Sequence, residues 1–274
     1  LLLLTMVCAQ VGAAIATHLF SSLGPTGTVF LRLAFGAAML MVVERPRFDQ
    51  TLRLHWRRVL VFGLAIAGMN LAFYEAIARI PLGIAVTIEF MGPMGVAIVT
   101  SRRWLDFVWI GLATLGIILL TPLTGTALDP LGIIFALIAG MGWATYVLLS
   151  APIGHLFPRG TGLALSMGLA AIALFPFGLF SAGSALLNPG LLGLGLIVAL
   201  LSSAIPFSLE FAALKRLPPR VYGVLVGLEP AIAAIVGVLL LGEILEWRTV
   251  AAIVCVTVAT IGVTFSKPPA PGNS

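Results

Sequence analysis

Ala76-Ile77-Ala78-Arg79-Ile80-Pro81 recurs as Ala213-Leu214-Lys215-Arg216-Leu217-Pro218, and twelve residues past each closing proline stand Pro93 and Pro230. The offset is 137 residues throughout. A shared alanine, an arginine and two prolines in register exceed what composition gives by chance, so the chain reads as a duplicated unit. Its two copies are expected at 1–125 and 126–266, followed by a Pro/Gly/Ser-rich tail at 267–274 that is expected to be disordered.

Outward from these motifs the chain is almost wholly apolar: 60% of its residues are hydrophobic and 9% charged. A hydrocarbon core about 30 Å thick needs about 20 residues of helix at about 1.5 Å per residue. Ten stretches reach that length, approximately 1–20, 26–43, 59–78, 82–100, 106–121, 131–149, 161–180, 190–213, 221–240 and 248–265. Inside lipid every backbone polar group must be paired within the protein, which leaves helices or closed barrels. Runs such as Gly111 to Leu120 lack a barrel's alternation. The expectation is an all-α membrane protein of ten transmembrane helices in two five-helix repeats. Five is odd, so the second copy enters from the opposite face and the repeats are inverted, as in secondary transporters with a site between the repeats near the midplane. Some channels share this construction.

The net charge of +5 is explained by topology rather than by nucleic acid. With a cytoplasmic N-terminus, the inner segments carry Arg45, Arg47, Arg53, Arg57, Arg58, Arg102, Arg103, Arg159, Lys215, Arg216, Arg220 and Lys267, against only Arg79 and Arg248 outside. Cytoplasmic loops collect such residues, which places both termini inside. The first span has no evident cleavage site and is expected to be retained. Cys8 and Cys255 lie in separate apolar spans, so neither a disulfide framework nor a metal-ligand spacing is present.

An ionised side chain at mid-bilayer costs about 3 kcal/mol, so buried charges point to cavities or partners. Glu89, Glu210 and Glu229 fall inside spans, and each shares a helical face with a proline: Glu89 with Pro93, Glu210 with Ser202 and Pro206, and Glu229 with Tyr222 and Pro230. A proline removes a backbone donor and leaves a carbonyl free to bind something. The alternative for each carboxyl is a protonated group satisfied by a neighbouring helix. Asn70 and Tyr74 share a face of the third span, and Trp143 and Tyr146 lie one turn apart on the sixth. Asn, Tyr and Trp together suit an ammonium and an apolar side chain. Gln10 and His18 face the same way on the first span, His18 having hydrogen-bonded structure as its ordinary alternative role. Arg32, inside the second span, either meets a substrate carboxylate or snorkels to the interface. Pro93, Pro206 and Pro230 are candidate hinges. Glu75 and Arg79 are expected to pair at the surface. Trp104, Trp109 and Trp247 are expected to anchor at the interface. Small-residue stripes at Gly68/Ala72/Ala76, Ala136/Gly140/Ala144 and Gly223/Gly227/Ala231 are expected to be helix contacts.

Neither lysine follows a glycine-rich loop, so the phosphate-cradling motif of ATP-driven pumps is absent. His18, His55 and His155 are scattered, which leaves no catalytic or metal grouping and no cofactor.

PLGIAVTIEFMGPMGVAIVTSRR (81–103) and LSSAIPFSLEFAALKRLPPRVYGVLVGLEPAIAAIVGVLLLGE (201–243) resemble the EamA-type branch of the drug/metabolite transporter superfamily. The similarity covers essentially the whole chain and is nearest to bacterial threonine/homoserine exporters, with aromatic amino-acid exporters also similar. It implies a duplicated inverted fold in the bacterial inner membrane and outward movement of amino acids. Export of other small metabolites or drugs and a passive channel are the alternatives. The partners implied are an amino-acid substrate and the lipid bilayer.

Overall fold

The computed structural model describes residues 2–46, 50–99, 105–120, 128–157, 160–206, 209 and 225–266. Glu210, Tyr222, Trp104, the second motif copy at 213–218 and the tail at 267–274 lie outside these residues. Helices α1 (Leu2–Thr17), α2 (Phe20–Glu44) and α3 (Gln50–Ile77) are followed by a broken pair, α4 (Leu82–Glu89) and α5 (Met91–Val99), and by α6 (Leu105–Leu120). Then come α7 (Pro130–Leu156), α8 (Thr161–Ala182), a 3₁₀ turn at Gly183–Leu187, α9 (Pro189–Ala199), a π-helical turn at Leu200–Ala204, α10 (Glu229–Leu241) and α11 (Trp247–Ser266). No strand occurs among the described residues.

Local sequence sets the boundaries. Asp129 caps α7 by accepting from the Leu131 amide at 2.9 Å, with Pro130 in the first turn where its missing N–H costs nothing. Asn188 caps α9 in the same way, accepting from Gly190 at 2.9 Å, with Pro189 following. α1 stops at Thr17, and the chain turns through His18 and Leu19 into one helical turn before Gly24. Gly24 has φ 68° and ψ 165°, open only to glycine, and the straight part of α2 starts at Pro25. Ser181 Oγ occupies the space a Cβ there would need and donates to Leu23 O at 2.9 Å.

Among the described residues four segments are long and apolar enough to cross a membrane: Phe20–Glu44, Gln50–Ile77, Pro130–Leu156 and Thr161–Leu187. The other apolar helices are shorter, among them Leu2–Thr17, Pro189–Ala204 and Glu229–Leu241. The fourth stretch is not the continuous 82–100 helix expected. Its hydrogen-bond ladder is interrupted at Phe90, because Pro93 has no amide to give the Glu89 carbonyl, while Phe90 itself keeps helical φ and ψ and bonds Val86 at 2.9 Å.

α2 packs along α8, α3 along α7, α6 along α11, and α4 against α10. Small residues allow this closeness. Gly140 of α7 lies against the Glu89 carbonyl and Gly92 against the Gly140 carbonyl, so the α4/α5 break meets α7 backbone to backbone. Gly63 does the same against the Ser166 carbonyl of α8. The α7 stripe is therefore a contact, whereas Gly68 of the α3 stripe faces outward with nothing near it. The outer surface carries large apolar residues such as Val42, Phe180, Leu239 and Ile244, fitting lipid rather than water. Trp247 is exposed as an interfacial anchor would be, but Trp109 packs on Gly262 of α11 and serves helix contact instead.

At one end of the bundle Glu243, just past α10, accepts from the Leu82 amide at 2.7 Å and so caps α4 from the other half of the chain. Burial pushes its carboxyl above the ordinary value of 4.5, partly offset by the amides of Leu82 and Gly83. Nearby, Arg79 pairs with Glu75 at 2.5 Å and reaches Asp129 at 3.8 Å.

Candidate functional site

Two prolines create the same local defect. Pro93 and Pro206 each lack the amide that would bond the carbonyl four residues earlier, at Glu89 and Ser202, whereas Pro230 stands in the first turn of α10, where its missing N–H costs nothing and the helix-interior defect expected of it does not arise. Glu89 and Ser202 both line a single cavity of about 580 Å³. Pro93 and Pro206 thus loosen backbone where the protein is hollow, a place where irregular backbone is tolerated at membrane depth.

The Ser202 carbonyl has found a partner. Arg32 Nη2 donates to it at 3.0 Å, and Arg32 Nη1 donates to Asn70 Oδ1 at 2.7 Å. Asn70 is itself fixed by a 2.8 Å bond from Nδ2 to the Ile66 carbonyl, so α2, α3 and the π turn meet at one guanidinium. The Tyr74 ring lies 5.5 Å beneath that guanidinium. On another wall Gln10 Nε2 donates to Glu229 Oε1 at 3.1 Å. Glu89 also faces the cavity, close enough to Glu229 and Arg32 for their charges to act on it. The cavity therefore brings one guanidinium and two carboxyl groups together within walls that are mainly apolar. Trp143, edge-on to Phe90 with centroids 5.0 Å apart, and Tyr146, stacked on Phe62 at 5.2 Å, complete an aromatic side.

Gln10, Asn70, Glu89, Trp143, Tyr146, Ser202, Pro206 and Glu229 all line this one space. His18 does not: α1 ends at Thr17, the helical relation to Gln10 is lost in the turn, and the imidazole is exposed. Tyr74 is fully buried behind Arg32, covered by Phe20 and Phe73, rather than open to the cavity. Pro93 and Pro230 stand behind the lining, and Glu210 and Tyr222 are outside the described residues. Arg32 is the lining residue whose role the sequence left open; the signal was Pro206, whose freed carbonyl offers an acceptor that keeps an arginine inside. Among the described residues no group of three His, Cys, Asp or Glu is placed to hold a metal, and Cys8 and Cys255 are free thiols.

Residues 130–265 match the EamA-like transporter family. The chain is 42% identical over 270 residues to the threonine/homoserine exporter RhtA of Salmonella typhimurium, covering 97% of this chain and 90% of that one. The RhtA of Escherichia coli K12 is 41% identical over 271 residues with the same coverage. A crystal structure of a protein only 17% identical superposes over 96% of both chains with a TM-score of 0.65, which shows a shared fold. With relatives this similar along almost its whole length, the chain belongs to the EamA-like transporter family, whose members are membrane transporters and not enzymes.

Proposed function

We propose that this protein exports amino acids of the threonine and homoserine type across the bacterial inner membrane by alternating access. The observation that carries the reading is the near-full-length likeness to curated exporters of those amino acids, joined to a cavity whose charges suit a zwitterion. Glu89 takes the ammonium, Asn70 orients the polar end, and Trp143 with Tyr146 receives the side chain.

Two halves related by inversion offer one route to alternating access, and the ten-span, two-repeat arrangement at 1–125 and 126–266 is part of this proposal. The cavity supports it. At the 137-residue offset Met6 matches Trp143, Ala9 matches Tyr146, Gln10 matches Val147 and Ala13 matches Ser150, and all eight are lining residues. Ile66 with Ser203, Met69 with Pro206, and Glu89 with Val226 repeat the relation. Packing follows the same exchange, since α2–α8, α4–α10 and α6–α11 each join a span to its own counterpart. Both termini lie in the cytoplasm on this reading, from the asymmetry of basic residues.

Cells overproducing the protein should resist toxic threonine and homoserine analogues and release the parent amino acids. A phosphatase fused at residue 125 should be active and one at residue 50 inactive. Unchanged sensitivity in cells shown to contain the protein would remove the export assignment, and reversed fusion activities would remove the orientation.

A further inference from the structure

The geometry points to Arg32 as the receptor for the substrate's carboxylate, which makes that group, rather than the side chain, the feature every substrate must carry; the inference rests on the amino-acid reading above. Arg32 sits seven residues beyond Pro25 in α2 and does not snorkel outward: its guanidinium points inward to Asn70 and Ser202 and lines the cavity. Both acceptors are neutral oxygens. Among the described residues no carboxylate forms an ion pair with it, although Glu89 and Glu229 border the same space and Glu229 is already engaged by Gln10.

A guanidinium has five N–H donors, and Arg32 commits two. Its Nε is buried with no acceptor. A cation at membrane depth that no carboxylate contacts directly is costly, and an anion that joins it during the working cycle offsets that cost. The planar fork matches a carboxylate with two parallel bonds, and the Tyr74 ring behind it blocks retreat away from the cavity. Asn70 and the Ser202 carbonyl fix the plane of the fork, so both act as positioning groups.

The test compares threonine with threoninol, its analogue lacking the carboxylate, by calorimetric binding to the purified full-length protein. Wild type should bind threonine at least about tenfold more tightly, the least a charge-assisted pair is expected to contribute. Arg32→Lys keeps the charge but loses the fork, and should weaken threonine about tenfold while changing threoninol less than about threefold. Equal binding of the two ligands by wild type overturns the inference without any variant, so it stands or falls even if Arg32→Lys does not fold. Equal weakening of both ligands by Arg32→Lys also overturns it and makes Arg32 a structural clamp. A wild type that binds no threonine at all overturns the amino-acid reading and this inference with it.

Discussion

Replacing Gly140 by alanine puts a methyl group where α7 meets the broken fourth stretch. Its Cβ would stand 2.8 Å from the Glu89 carbonyl oxygen and 3.4 Å from the carbonyl carbon and Cα of the same residue. The oxygen is thus roughly 0.6 Å closer than ordinary contact, and the obstacle is backbone, which cannot rotate aside. Overpacking of this kind costs about 1–3 kcal/mol, against about 1 kcal/mol gained by alanine over glycine inside a helix. The net destabilisation is about 0–2 kcal/mol, a fall in Tm of up to roughly 8 °C for a chain of this size. Gly68→Ala is the matched control, since that glycine is exposed, helical and touches nothing, and it should leave Tm unchanged or raise it slightly. Thermal unfolding of the purified protein in detergent, followed by tryptophan fluorescence and circular dichroism, reads both variants. A Tm for Gly140→Ala equal to or above that of Gly68→Ala would refute the close backbone crossing, and with it the placement of Glu89.

Glu243 keeps its proton to higher pH when folded than when unfolded, so its contribution to stability is full below about pH 4.5 and declines as pH rises through the raised value. Glu243→Gln retains the acceptor for Leu82 and should flatten that part of a Tm-against-pH curve. Glu89→Gln keeps the shape and removes the charge, and should lower transport at least about tenfold with Tm nearly unchanged; normal transport would make Glu89 structural. Pro93→Ala restores a missing donor and Pro230→Ala removes the first-turn restraint of α10; on the hinge hypothesis both should slow transport while binding and Tm hold. Binding and stability lost in proportion to transport would assign them to packing.

The helical class and most of the cavity were legible because helical spacing survives wherever the helix does. Asn70, Glu89, Trp143 and Tyr146, picked out on three separate helices, line one cavity. The proline rule also carried over, since Pro206 does free the Ser202 carbonyl for Arg32. Misreadings arose where the helix stopped sooner than hydropathy does. His18 follows the end of α1, and the fourth stretch divides at Phe90 while its apolar composition continues unbroken. Tyr74 shows a different limit: it shares a helical face with Asn70, but one turn further along Arg32 and Phe20 already cover it. Which of two residues on one face reaches a cavity is decided by neighbouring helices, and spacing within one helix does not encode that.

The most direct test of the transporter account is counterflow. Liposomes containing the purified protein are loaded with unlabelled threonine and diluted into a trace of labelled threonine. A carrier that alternates around one site accumulates label transiently above equilibrium, and uptake saturates with concentration and is inhibited by homoserine. Label that only approaches equilibrium, with flux linear in concentration and indifferent to homoserine, would contradict alternating access and leave a passive pore.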